Sequence, residues 1–186
     1  MPRQSKPADF PKPAERMGHG GLVLGIDPDM HSTAWALLEE DGRIKDCGVC
    51  RQSEKFKGHE AIRGMAFLLR ERINGPTWDG FEIVSVIETQ QYRDKGSDIP
   101  VAALLNLALV SGMAVAECAR IGAIHLADPT VWTKGWKKEV RHNRLRELTY
   151  GMTDEELARK FCFNRGDAKH VWDAIGLALW WLKDIN

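Results

Sequence analysis

The apolar run Leu22-Val23-Leu24-Gly25-Ile26 stops abruptly at Asp27-Pro28-Asp29, and this junction constrains the fold more than any other stretch. So short a run, bounded by turn residues, reads as a buried strand whose chain end carries a carboxylate. Thr33 to Leu38 resumes strand character. Asp41-Gly42 between apolar flanks is a hairpin signal, which pairs Arg43 to Arg51 back as a third, antiparallel strand. Glu60 to Ile73 sets Ile62, Met65, Ala66, Leu69 and Ile73 at helical spacing and stops at Asn74-Gly75-Pro76. A strand reached through such a helix most simply lies parallel to the first, so Glu82 to Ile87, closed by Glu88, is expected beside Leu22–Ile26. Asp27 and Glu88 then fall at the C-terminal ends of two parallel strands, the edge where open α/β sheets place their sites.

Beyond Glu88 the chain alternates helices with one more strand. Ile99 to Ala116 is nearly all apolar, yet Asn106, Ser111, Gly112 and the nearby Glu117 and Arg120 favour a buried helix over a membrane span. Ala123 to Leu126 reads as a short strand closed by Asp128-Pro129. Thr153 to Phe163, opened by a Thr153-to-Glu156 capping box, and Asp167 to Lys183 read as helices. The expected architecture is therefore an α/β fold, a mixed five-stranded sheet of three antiparallel strands plus two parallel ones, flanked by helices.

A length of 186 residues suits one domain, and residues 1–20, with four prolines and little periodicity, read as a flexible tail before a domain over 21–186. Lys plus Arg and Asp plus Glu both number 26, so affinity for a polyanion must come from uneven placement of charge. That placement occurs at Lys134 to Arg146, where Lys134, Lys137, Lys138, Arg141, Arg144 and Arg146 face Glu139 alone. A solvated charged face is the bland alternative. With four cysteines and no apolar leader, a reducing cytoplasmic setting, bacterial or viral-host, is expected. Cys47 and Cys50 lie three apart on an expected strand and so point to opposite faces, poor geometry for one metal.

The last helix carries Asp167, His170 and Asp173 at spacings of three, projecting from one face of a helix whose other positions are apolar. Carboxylates on a packed helix cost desolvation unless a cation compensates, and hard oxygen ligands suit magnesium or manganese. A purely structural reading stays open beside this one. In it Asp167 caps the helix, His170 is a partly exposed imidazole, and Asp173 pairs with a nearby Lys or Arg.

Three blocks taken in order carry a family resemblance. Leu22-Val23-Leu24-Gly25-Ile26-Asp27-Pro28-Asp29, Val86-Ile87-Glu88, and His170-Val171-Trp172-Asp173-Ala174-Ile175-Gly176-Leu177-Ala178 resemble the motif blocks of the RuvC-like Holliday junction resolvases, a branch of the RNase H-like superfamily. The likeness runs from about residue 21 to 184. It implies an RNase H-like domain with Asp27, Glu88, His170 and Asp173 as catalytic metal ligands, and Asp167 as a further candidate. Some members have Asp where this chain has His170. The Ala- and Gly-rich helix over 106–120 is similar to one that contributes to the subunit contact of the family homodimer. The Pro129-to-Trp132 segment is followed by Thr133 and then Lys134 where many relatives place a lysine at once, which leaves Lys134, Lys137 and Lys138 as candidates for approaching the scissile phosphate.

The activity so implied is a magnesium-dependent, structure-selective endodeoxyribonuclease that resolves four-way DNA junctions by paired cuts. Two Mg2+ ions per site, with Mn2+ able to substitute, would leave 5′-phosphate and 3′-hydroxyl ends. Lys134, Lys137, Lys138, Arg141 and Arg144 would contact DNA, and the loop after Glu88 would add Tyr92, stacking on a base, with Arg93 and Lys95. The expected partners are branched DNA and a second copy of the chain, with no membrane. Two alternatives stand beside this: a nuclease of the same fold acting on RNA–DNA hybrids, flaps or forks, and a non-catalytic nucleic-acid-binding protein.

Overall fold

In the computed structural model, which describes residues 21–74, 78, 81–89, 101–133 and 135–183, the junction at Asp27 closes the central strand of a sheet. Strands β1 (Leu22–Asp27), β2 (Ser32–Glu39), β3 (Ile44–Arg51), β4 (Ile83–Glu88) and β5 (Gly122–Ala127) are ordered β3-β2-β1-β4-β5. β1 to β3 pair antiparallel, while β4 runs parallel to both β1 and β5, which gives the expected mixed sheet. The Asp41-Gly42 turn forms as anticipated. Gly42 has φ 87°, the Asp41 carboxylate accepts from the Arg43 N–H at 2.8 Å, and the Arg43 carbonyl accepts from Glu39.

The helices are α1 (His59–Ile73), α2 (Val101–Cys118), α3 (Pro129–Trp132), α4 (Lys138–Leu148), α5 (Asp154–Lys160) and α6 (Ala168–Lys183). Period-two alternation divides the sheet into two cores. Leu22, Leu24, Ile26, Trp35 and Leu37 meet Met65, Leu69 and Ile73 of α1 and Ala114 and Cys118 of α2. Val23, Ala34, Ala36, Val84 and Val86 meet α6, through Val171, Trp172, Ala174, Ile175 and Ala178. Cys47 belongs to the second core and Cys50 to the first, so the two thiols do lie on opposite faces. No helix among the described residues is long and apolar enough to cross a membrane. Residues 1–20 lie outside the described residues.

Two elements differ from expectation. Asp128-Pro129 ends β5 but also starts α3, with the Asp128 carboxylate accepting from the Thr130 N–H at 2.7 Å and proline at the first helical position. This short helix carries Trp132 inward, where it is 6% exposed. The last helix begins at Ala168, one residue later than expected, because Arg165–Asp167 forms a 3-10 turn capped by Asn164, and the Asp167 carboxylate pairs with Arg51. The capping box at Thr153 and Glu156 forms in full.

The approach of α6 to β1 sets the position of everything that follows. A Cβ on Gly25 would run into the carbonyl oxygen of Ala174 and lie 3.0 Å from the amide of Ala178. Only glycine lets the helix backbone ride directly on the strand. Gly25→Ala is therefore expected to push α6 off β1 and lower unfolding stability by about 1–3 kcal/mol, measured as the shift in the urea midpoint. An unchanged midpoint would contradict this contact.

Candidate functional site

The β1–β4 ladder pairs Leu22 with Ile83 through Ile26 with Ile87, so Asp27 and Glu88 end their strands level with each other. Alternation sends Asp27 to the side of Val23 and Gly25, and Glu88 to the side of Val84 and Val86, which is the side that α6 covers. The turn after Asp27 is tied in place. The Asp29 carboxylate accepts from the amides of His31 at 2.9 Å and Ser32 at 3.3 Å, the Thr33 hydroxyl donates to the Asp29 carbonyl at 2.8 Å, and the Gln52 amide donates to the Met30 carbonyl at 2.6 Å.

Helix α6 brings two more groups. His170 Nδ1 lies 3.3 Å from Asp27 Oδ2, and Asp173, one turn further, is 5% exposed. Of the four residues expected at the centre, Asp27, Glu88 and His170 are thus assembled at the sheet edge, and Asp173 is near enough for its charge to act on Glu88. Burial, followed by the charges of Asp27 and Asp173, pushes the Glu88 carboxyl up to about 8. The Trp132 indole N–H opposes this rise but falls short of a full hydrogen bond.

The partners of Asp173 all come from α4. Arg141 Nη2 donates at 2.6 Å, His142 Nε2 lies at 2.9 Å, and the Lys138 ammonium pairs with the other carboxylate oxygen. Burial alone would raise the Asp173 carboxyl, yet the contacts with His142, Lys138 and Arg141 hold it far below the usual carboxylate range. The structural alternative, Asp173 paired with a nearby Lys or Arg, is what the structure contains. His142 was missed altogether. His142 and Leu145, three apart, are buried on α4, an inward face that periodicity alone could have exposed, while Lys138 one turn earlier is exposed and reaches Asp173 with its ammonium.

The remaining candidates divide. Asp167 is 5% exposed and ion-paired with Arg51 of β3. Lys138 and Arg141 turn toward Asp173, whereas Lys137 is exposed and Arg144 pairs at the surface with Glu147 at 2.8 Å. Lys134, Tyr92, Arg93 and Lys95 lie outside the described residues.

Asp27 and Glu88 suit a hard divalent cation, since two crowded carboxylates, one of them resisting ionisation, are the donors such an ion stabilises. His170 could add an imidazole nitrogen beside Asp27. Asp173 is already engaged, and among the described residues no three His, Cys, Asp or Glu side chains form a ready metal cage. The residues therefore fit a cation held by Asp27 and Glu88 with His170 alongside, and full use of Asp173 requires its release from α4.

The raised Glu88 pKa has a definite consequence for stability. In the metal-free protein Glu88 holds its proton in the folded state while losing it in the unfolded state, from its usual 4.5 up to about 8. Stability then falls as pH rises through that window, and the penalty is absent below it. Glu88→Gln is expected to raise the melting temperature at pH 8.5 by roughly 2–4 °C per kcal/mol relieved and to leave it unchanged at about pH 4. Calorimetry in EDTA at both pH values checks this; equal shifts at the two would refute the cause.

No protein-family model matches the chain, and no curated protein matches it in sequence. Solved structures do. T. thermophilus RuvC in complex with a Holliday junction substrate is similar at TM-score 0.61 and 14% identity, over 85% of this chain and 90% of that one. A second T. thermophilus RuvC structure matches at TM-score 0.60 and 14% identity, over 85% and 91%. The yeast mitochondrial Holliday junction resolvase Ydc2 matches at TM-score 0.54 and 17% identity, over 89% and 83%. The mixed sheet in the order β3-β2-β1-β4-β5 with its flanking helices is the RuvC-like resolvase fold, of RNase H-like architecture.

Proposed function

We propose that this chain is a divalent-metal-dependent endonuclease that cuts four-way DNA junctions. The observation that carries the reading is the convergence of Asp27, Glu88 and His170 at one sheet edge, on the face covered by α6, in a fold shared with solved junction resolvases. One of those, T. thermophilus RuvC, is solved in complex with a Holliday junction substrate.

In this reading Asp27 and Glu88 hold Mg2+, or Mn2+ in its place, with His170 beside Asp27 and Asp173 joining when Lys138, Arg141 and His142 let it go. Bound there, the metal supplies Lewis acidity toward the phosphate and a water more easily deprotonated, the chemistry of phosphodiester hydrolysis with two ions. A cation held by these residues would offset the burial, and then the Asp27 and Asp173 charges, that raise the Glu88 carboxyl. Exposed Lys137 and Arg144 would meet the sugar-phosphate backbone, and Lys138 and Arg141, once off Asp173, would turn to the same anion. The products would carry 5′-phosphate and 3′-hydroxyl ends.

A second copy would complete the enzyme. Helix α2 exposes Ala102, Leu105, Ala108, Leu109, Gly112 and Ala116 along one side, with Leu105 60% and Leu109 56% exposed. An apolar stripe of small and branched residues suits self-association, and an isologous dimer would present two sites to a junction of twofold symmetry. We place the working enzyme in the cytoplasm of a bacterium or of a virus-infected host.

Incubating the purified protein with a labelled immobile four-way junction and with an RNA–DNA hybrid, with and without Mg2+, tests the reading directly. Metal-dependent paired cuts in the junction and an intact hybrid are expected. Preferential cleavage of the hybrid would transfer the fold to the other substrate, and no cleavage of either would leave a binding protein. Asp27→Asn is expected to abolish cutting while junction binding persists in a gel-shift assay, and a variant cutting at the normal rate would remove Asp27 from the site. Leu109→Glu is expected to convert a dimer to a monomer by light scattering and to replace paired cuts with single nicks. A monomeric wild type, or a variant that remains dimeric, would exclude this face.

A further inference from the structure

Asp173 comes to the sheet edge already carrying cations, and its three partners are not equivalent. They divide between its two oxygens. Oδ1 accepts from Arg141 Nη2 at 2.6 Å and lies 2.9 Å from His142 Nε2, whereas Oδ2 pairs with the Lys138 ammonium. Among the described residues, full release of Asp173 would move three side chains, but one oxygen needs the departure of Lys138 alone.

The partners also differ in how freely they can move. The Arg141 side chain is 13% exposed with its guanidinium 4.5 Å over the Trp132 ring, and the His142 side chain is 8% exposed. Packing holds both, as well as charge. Lys138, in the first turn of α4, keeps 43% of its side chain in solvent on a flexible four-carbon stem. Its neighbour Lys137 is exposed as well. A polyanion arriving from solvent therefore competes for Lys138 more easily than for Arg141 or His142.

We propose that Lys138 is an exchangeable plug on Asp173: in the free protein it keeps Oδ2 from a divalent cation, and a DNA phosphate that draws it off lets the cation in. The inference rests on the nuclease reading and supplies the regulation of that site. Exchange costs Lys138 little, since it trades one anion for another in a half-exposed position. The carboxylate is left differently placed. A buried oxygen stripped of its ammonium needs another positive charge, and Arg141 and His142 still fix the other oxygen, so the vacancy is set for a cation shared with Asp27 and Glu88. With the plug in place the same ammonium repels a dication brought to the edge. Linkage makes the coupling reciprocal, so the factor by which DNA raises the affinity for the cation is the factor by which the cation raises the affinity for DNA. Such a protein holds its cation weakly when idle and completes its centre on the substrate.

Calorimetric titration of the metal-stripped full chain with Mn2+, without DNA, reads the plug apart from any cutting. Lys138→Met is expected to bind Mn2+ about tenfold more tightly than the wild type, and Lys138→Arg to bind as the wild type does. Arg141→Met removes an equal charge but leaves Oδ2 occupied, so its affinity is expected to stay near that of the wild type. Asp173→Asn is expected to change little by itself and to cancel the gain when combined with Lys138→Met. Circular dichroism melts verify folding, and the Lys138 and Asp173 cycle suffices if Arg141→Met unfolds the chain. Equal gains for Lys138→Met and Arg141→Met, or a gain that survives Asp173→Asn, would reduce the effect to general repulsion and overturn the plug. Weakened Mn2+ binding in Asp173→Asn alone, or no Mn2+ binding by any variant, would overturn it too.

Fluorescence anisotropy with an immobile four-way junction, on strands verified intact by denaturing gel, reads the exchange with DNA. Ca2+ is expected to tighten wild-type binding about tenfold, and Lys138→Met to lose most of that factor. An equal factor in both proteins, or no junction binding by the wild type, would overturn the exchange. The expected Mn2+ cycle in a protein that leaves the junction whole with Mg2+ keeps the plug and rejects the nuclease. Mg2+-dependent cutting with an additive cycle does the reverse.

Discussion

The backbone of α6 rests on β1 where Gly25 has no side chain, and the site depends on that contact. With Ala174 and Ala178 against the strand, the preceding turn of the helix is carried past the end of β1, where His170 meets Asp27 and Asp173 comes within electrostatic reach of Glu88. The same packing buries Val171, Trp172 and Ile175 completely, so the helix that holds the polar groups is fixed by its apolar ones. Each large side chain buried there contributes roughly 1.5–3 kcal/mol, which helps offset the cost of confining carboxylates beside a hydrophobic layer.

Charge at the sheet edge is arranged unevenly. Asp27 and Glu88 lie level at the ends of paired strands, and burial together with the neighbouring carboxylates makes Glu88 keep its proton near neutral pH. Asp173, also a carboxylic acid buried at this edge, is ionised because α4 supplies Lys138, Arg141 and His142. Three partners on one buried carboxylate form a strong lock, and removing Asp173 itself would leave Lys138 and Arg141 without their counter-charge. The basic segment is thus divided between an internal role and a surface one, with Lys137 left facing solvent.

Much of this was legible in the linear chain. The strand ending in Asp27, the Asp41-Gly42 hairpin, the crossover helix and the strand ending in Glu88 all rest on local signals: hydrophobic period, turn chemistry and the parallel pairing that a crossover dictates. Their sum already places two carboxylates side by side. The short helix α3 was not legible, because Asp128-Pro129 signals a strand end and a helix start equally well. Nor was the fate of Asp167, whose spacing from His170 suggested a shared helical face until the 3-10 turn delivered it to Arg51.

What the sequence by itself determined is the order of elements and, through strand register, the meeting of Asp27 with Glu88. These follow from backbone hydrogen bonding and side-chain alternation, which act between near neighbours or along a fixed ladder. Tertiary structure alone decided which cations answer which carboxylates. Lys138, Arg141 and His142 carry no local mark that separates a phosphate contact from an internal ion pair; that choice is made when α4 docks on α6 and removes Asp173 from water, where only an opposite charge can keep it ionised.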